Sequence, residues 1–102
     1  MIFSIHATAY TALRSQLTDA RVSRGVTQAE LAARLGCPQS TVSKVERGER
    51  RLAVPEFLVW AAALGVDVHA FIDEYLATVG RSAMLGAALR GARRPKTPRA
   101  SR

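Results

Sequence analysis

Apolar residues recur at helical spacing in five stretches of this chain, and each stretch is bounded by residues that start or stop a helix. From Tyr10 to about Arg24, Leu13, Leu17 and Ala20 share one side, and Gly25 can close the helix. Thr27 followed by Glu30 predicts a capping box at the start of a second helix, which opens at Gln28, turns Leu31, Ala32 and Leu35 inward and stops at Gly36. Pro38 can take the first position of a third helix over 38–47, with Val42 and Val45 on its inner side. The opposite side collects Ser40, Ser43, Lys44 and Arg47, with Gln39 at the amino-terminal end and no acidic residue. Pro55 opens a fourth helix, in which Phe57, Trp60, Ala61 and Leu64 follow a buried stripe up to Gly65. Asp67 can cap a fifth, carrying Phe71, Ile72, Tyr75 and Leu76.

The connection between the second and third helices is only about three residues long, which forces two short helices to cross steeply in a helix-turn-helix arrangement. With 102 residues there is room for one compact domain, and the scarcity of aromatic residues suits packed helices better than a sheet. An all-α, five-helix domain over residues 10–78 is therefore predicted, preceded by an extension over 1–9. Residues 79–90 can add a further Ala-rich helix, and 91–102, with two prolines and no acid, form a basic tail expected to be disordered when free.

Charge changes the picture once it is placed along the chain. Residues 1–79 hold eight basic and eight acidic groups, so the whole net charge of +7 lies beyond them. Within that neutral part the basic groups all fall between residues 10 and 51, while 52–79 hold only acids. A basic half with a basic tail suits a polyanion such as nucleic acid, or an anionic membrane surface; the plainer alternative is a solubilising surface. No apolar run is long enough to span a bilayer and the first residues lack the features of a signal peptide, so a soluble cytoplasmic protein is expected.

The run TQAELAARLGCPQSTVSKVERGER, followed by PEFLVWAAALGV, resembles the lambda Cro and repressor type of helix-turn-helix domain, the XRE family, over about residues 10–76. Pro38 departs from the family pattern, which often has Ser or Thr as the cap of the recognition helix. The resemblance implies that the third helix enters the major groove of double-stranded DNA while the second crosses the backbone. The side chains agree: Gln39 can pair with adenine, Lys44 can donate to guanine, and Ser40 can serve a base edge, which makes these three the expected base readers. Gln28 matches the family's phosphate-binding Gln, at a helix amino terminus suited to an anion. Thr27, Thr41, Ser43, Arg47 and Arg50 are further backbone candidates. Arg21 and Glu46 match the family's paired Arg and Glu, which implies a largely buried ion pair docking the recognition helix.

The leading expectation is a sequence-specific transcriptional regulator, a repressor in preference to an activator, acting as a homodimer on an inverted repeat. Dimerisation is expected through surplus apolar surface of the fifth helix and the segment beginning near Arg81. The rival is an antitoxin-like or coactivator-like adaptor that engages a protein partner through the fifth helix or the tail, with secondary DNA binding. An uncovered patch at Phe71, Ile72 and Tyr75 would favour it. A third reading, a nucleoid or RNA binder without sequence preference, relies on the tail alone. The residues do not point to an enzyme, a metal site or a cofactor: His6 and His69 are isolated, Asp73 and Glu74 diverge around a helix, and no Gly-rich phosphate loop appears. Cys37 is read as a small structural residue, with a redox switch as the sharper alternative.

Overall fold

The computed structural model describes the backbone of residues 2–80 and the side chains of residues 9–80, and it consists there of five helices: α1 (Ile2–Ser23), α2 (Gln28–Leu35), α3 (Gln39–Glu46), α4 (Val54–Leu64) and α5 (Val68–Val79). The sixth helix and the basic tail expected from the sequence lie outside the described residues. Among those residues no single helix is long and apolar enough to cross a membrane.

Local sequence accounts for most helix ends. The Thr27 hydroxyl accepts from the Glu30 amide at 3.0 Å and the Glu30 carboxylate accepts from the Thr27 amide at 2.8 Å, which closes the predicted capping box and satisfies two donors that the first turn leaves open. At the other end Gly36, at φ 72°, takes the left-handed conformation, and the Cys37 amide donates back to Ala32 at 3.0 Å. Asp67 caps α5 by accepting from the amides of His69 and Ala70.

Three boundaries differ from the sequence expectation. α1 begins at Ile2, not near Tyr10, because no proline or glycine interrupts residues 2–9 and the helix continues through them. Pro38 is the cap of α3 and not its first helical residue: its ψ of 151° is extended, and no side chain caps this helix. α4 starts at Val54, one position before Pro55; Ala53 can offer no side-chain cap, and Glu56 instead accepts from the Ala53 amide at 2.9 Å.

The helices close around Leu17, Val26, Leu31, Val42, Val45, Phe57, Trp60, Leu64 and Phe71, so that each contributes to a single core. Leu31 and Val42 are fully buried, which locks α2 against α3 across the turn of Gly36, Cys37 and Pro38. The Phe57 and Phe71 rings sit 5.3 Å apart and tilted, joining α4 to α5. α5 runs antiparallel to α1, as two contacts show: Gln16 donates to the Phe71 carbonyl at 2.9 Å, and the Tyr75 hydroxyl donates to the Ala9 carbonyl at 2.8 Å.

These contacts overturn the expectation of surplus apolar surface on the fifth helix. Phe71 is buried, Ile72 packs against the core, and Tyr75 and Leu76 are half-buried. The large apolar side chains left open on the domain are instead Val22 on α1 and Val54, Leu58 and Val59 on α4.

The capping box carries a pH signature. The Thr27 amide and hydroxyl hold the Glu30 carboxyl below the usual carboxylate range, and the Ala53 amide, with Arg50, does the same for Glu56. A carboxyl lowered in the folded state contributes stability that is complete above the unfolded value of about 4.3 and is lost as pH falls through the folded value. Thermal melts followed by circular dichroism should therefore show the midpoint dropping on acidification below about pH 4. Glu30→Gln should make that drop shallower; an unchanged acid slope would remove the box as its source.

Candidate nucleic-acid interface

α3 presents two unlike sides. Val42 and Val45 face the core at 0% and 1% exposure, while Gln39, Ser40, Lys44 and Arg47 are exposed, so the helix is anchored from behind and polar in front. Ser43 is half-buried beside Arg47, whose guanidinium donates to its hydroxyl. Thr41 stands apart from this group. It is half-buried and lines a groove of about 310 Å³ with Leu35, Cys37, Arg50, Leu52, Val59 and Trp60, among others.

The anchor behind α3 is an ion pair. Arg21 meets Glu46 with Nε to Oε2 at 2.6 Å and Nη2 to Oε1 at 3.0 Å, and its remaining arm donates to the Val26 carbonyl at 2.7 Å. The side chains are 13% and 8% exposed, so the pair is largely withdrawn from water. A bidentate guanidinium–carboxylate contact fixes both distance and orientation, which an apolar contact alone would not. One arginine thus ties the end of α3 to α1 and to the chain entering α2.

The same carboxylate reaches the outer surface. Gln28 Nε2 donates to Glu46 Oε1 at 2.8 Å, and the Gln39 amide approaches the Gln28 oxygen at 3.5 Å, the outer limit of a hydrogen bond. Arg21, Glu46, Gln28 and Gln39 therefore form one chain from the interior to the exposed start of α3. Gln28 also lies in the first turn of α2, where backbone amides without helical partners favour an anion.

Two of the cations around α3 are held by neighbouring acids. Arg47 binds Glu49 at 2.8 and 3.0 Å, which raises the arginine and lowers the glutamate from their ordinary values. Arg50 binds Glu56 at 2.9 Å, and both pairs are open to solvent. Exposed pairs of this kind are screened by solvent and contribute little, so a phosphate can replace either acid at small cost.

Three residues of this region escaped the sequence reading. The Leu52 amide donates to the Tyr10 hydroxyl at 3.0 Å, the Arg14 guanidinium donates to the Glu46 carbonyl at 3.0 Å, and the Arg51 guanidinium lies 5.5 Å from the Tyr10 ring centre. A signal was available: Tyr10, Arg14, Leu17 and Arg21 follow i, i+4, i+7, i+11, one face of α1. Cys37 is half-buried in the groove, and no cluster of His, Cys, Asp or Glu that could hold a metal occurs among the described residues.

Two short helices crossed at a three-residue turn, the second held from behind and polar in front, define a helix-turn-helix domain. A helix-turn-helix family model matches residues 17–71, and the chain belongs to this family, of the Cro/C1 or XRE type, whose members bind DNA. Among solved structures, an XRE-family like protein from Pseudomonas syringae pv. tomato str. DC3000 is 47% identical with a TM-score of 0.72, over 76% of this chain and 94% of that one. The wild-type restriction-modification controller protein C.Esp1396I shares the fold at 22% identity and a TM-score of 0.63, over 70% of this chain and 90% of that one. No curated protein sequence matches the chain.

Glu46→Gln leaves the Arg21 guanidinium largely buried without a counter-charge. It should lower unfolding free energy by about 3 kcal/mol, measured by urea titration. A variant as stable as the parent would show that the pair does not hold α3 in place.

Proposed function

We propose that the protein is a sequence-specific double-stranded DNA-binding transcriptional regulator, acting as a repressor and binding an inverted repeat as a homodimer. The observation that carries this reading is the exposure of Gln39, Ser40 and Lys44 on a helix whose opposite side is fully buried. Rigid backing keeps such side chains in one register against base edges, and their chemistry fits adenine for Gln39, guanine for Lys44 and either kind of edge for Ser40. Gln28 and the amino terminus of α2 take a backbone phosphate, with the Glu46 contact setting the direction of the Gln28 amide. Thr27, Ser43, Arg47 and Arg50 serve further phosphates, the arginines by exchanging their acidic partners. Thr41, half-buried at the groove, is the backbone candidate its position supports least.

One recognition helix of eight residues buries too little surface for useful discrimination, which calls for a second copy. The apolar surface available to it is on α4, where Val54, Leu58 and Val59 are 70%, 45% and 57% exposed. α4 carries one polar residue, Glu56, in eleven, and a helix so apolar all round is normally covered on every side. The adaptor reading has less to support it, because Phe71 is buried, Ile72 packs against the core and Tyr75 is half-buried with its hydroxyl bonded to Ala9.

Selection from a random duplex pool, at near-physiological salt with competitor DNA, should enrich an inverted repeat whose half-site centres lie about 34 Å apart. Gln39→Ala should then relax the preference at one base position in each half-site, with a loss of about 1 to 3 kcal/mol. Recovery of unpatterned DNA would refute sequence-specific reading. Leu58→Asp should sediment as a monomer at concentrations where the parent is a dimer, with unchanged helical content; a dimer in both would move the interface away from α4.

A further inference from the structure

The loop between α3 and α4, residues 47–53, carries Arg47, Arg50 and Arg51, and its path is set by side chains of α1. At its start Arg14 donates to the Glu46 carbonyl at 3.0 Å, a favourable place for a cation at a helix carboxyl terminus. Gly48 follows at φ 83°. A Cβ there would lie 2.8 Å from Arg14 Nε, so the guanidinium rests directly against the loop backbone. At the far end the Tyr10 hydroxyl accepts from the Leu52 amide at 3.0 Å and faces the Arg50 carbonyl at 3.5 Å. The Tyr10 ring also carries the Arg51 guanidinium at 5.5 Å from its centre, a distance at which a cation is attracted to an aromatic face.

We infer that Tyr10 is a positioning residue for DNA binding: through its hydroxyl and ring it fixes the loop so that Arg50 and Arg51 meet backbone phosphates together. Arg51 thereby joins Arg47 and Arg50 in the contact set as a third loop cation. The inference rests on the DNA-binding reading above. Loop arginines free to move would still attract DNA, but they would lose side-chain and backbone entropy on binding, and pre-ordering by Tyr10 removes that cost beforehand. Among the described residues Arg51 has no acidic partner within ion-pair distance, unlike Arg47 and Arg50, so it meets a phosphate without first giving up a carboxylate.

The test is a cycle of four full-length proteins: the parent, Tyr10→Phe, the double variant Arg50→Ala with Arg51→Ala, and the triple combination. Each is titrated with a fluorescent mixed-sequence duplex over a series of salt concentrations, and helical content and melting midpoint are recorded for each. Tyr10→Phe keeps the ring and removes only the hydroxyl. It should weaken binding about fivefold, the equivalent of one ordinary hydrogen bond, and flatten the dependence of log affinity on log salt by up to about one phosphate contact. The arginine double variant should flatten it by about two, and adding Tyr10→Phe to that background should change nothing more. A Tyr10→Phe effect that persists in full without the two arginines would overturn the positioning role. So would a Tyr10→Phe protein that binds like the parent, or a double variant with the parent's salt dependence. If the parent itself binds no duplex, the DNA-binding reading fails and takes this inference with it.

Discussion

The Arg21–Glu46 pair is the contact on which the rest of the arrangement depends. α3 is only eight residues long, too short to be stable by itself, and it lacks a side-chain cap at its amino terminus. Burial of Val42 and Val45 holds it down, but two valines on a short helix leave rotation about the helix axis weakly determined. The bidentate pair at the last residue removes that freedom. Because Glu46 also receives the Gln28 amide, the orientation of α3 and the aim of a side chain on α2 are set by one carboxylate. Withdrawing such a pair from water is costly, and its return lies in geometric definition more than in net stability.

Local signals in the sequence carried the helix starts and stops well. The Thr27 and Glu30 spacing, Gly36, Gly65 and Asp67 all act within four residues, and such short-range chemistry survives in any fold that keeps the helix. Where a signal was negative it was weaker: nothing in residues 2–9 forbids a helix, yet their mild apolar pattern gave no reason to extend α1. Pro38 misled because proline is suited both to the first helical position and to the extended residue before it, and only the backbone angle tells them apart.

The site was legible to a different degree. The outward face of α3 followed from helical periodicity, and the Arg21–Glu46 contact from resemblance to a family. Tyr10 and Arg14 touch partners 32 to 42 residues away, and periodicity can say which face of α1 they share but not what that face meets. The surface of α5 was misjudged for a related reason. Its apolar residues looked too many for a terminal helix because α1 was read as short; the longer α1 supplies Ala9, whose carbonyl receives the Tyr75 hydroxyl.

The separation of roles within α3 reaches beyond this one molecule. Gln39, Ser40 and Lys44 are exposed and outside the core, and among the described residues only Gln39 of the three makes a side-chain hydrogen bond, at the limiting distance of 3.5 Å. Exchanging these three positions therefore leaves folding almost untouched while rewriting the surface that α3 offers. A scaffold divided in this way can drift to new recognition preferences by single substitutions without passing through unfolded intermediates, and the same division makes it a ready frame for engineered specificity.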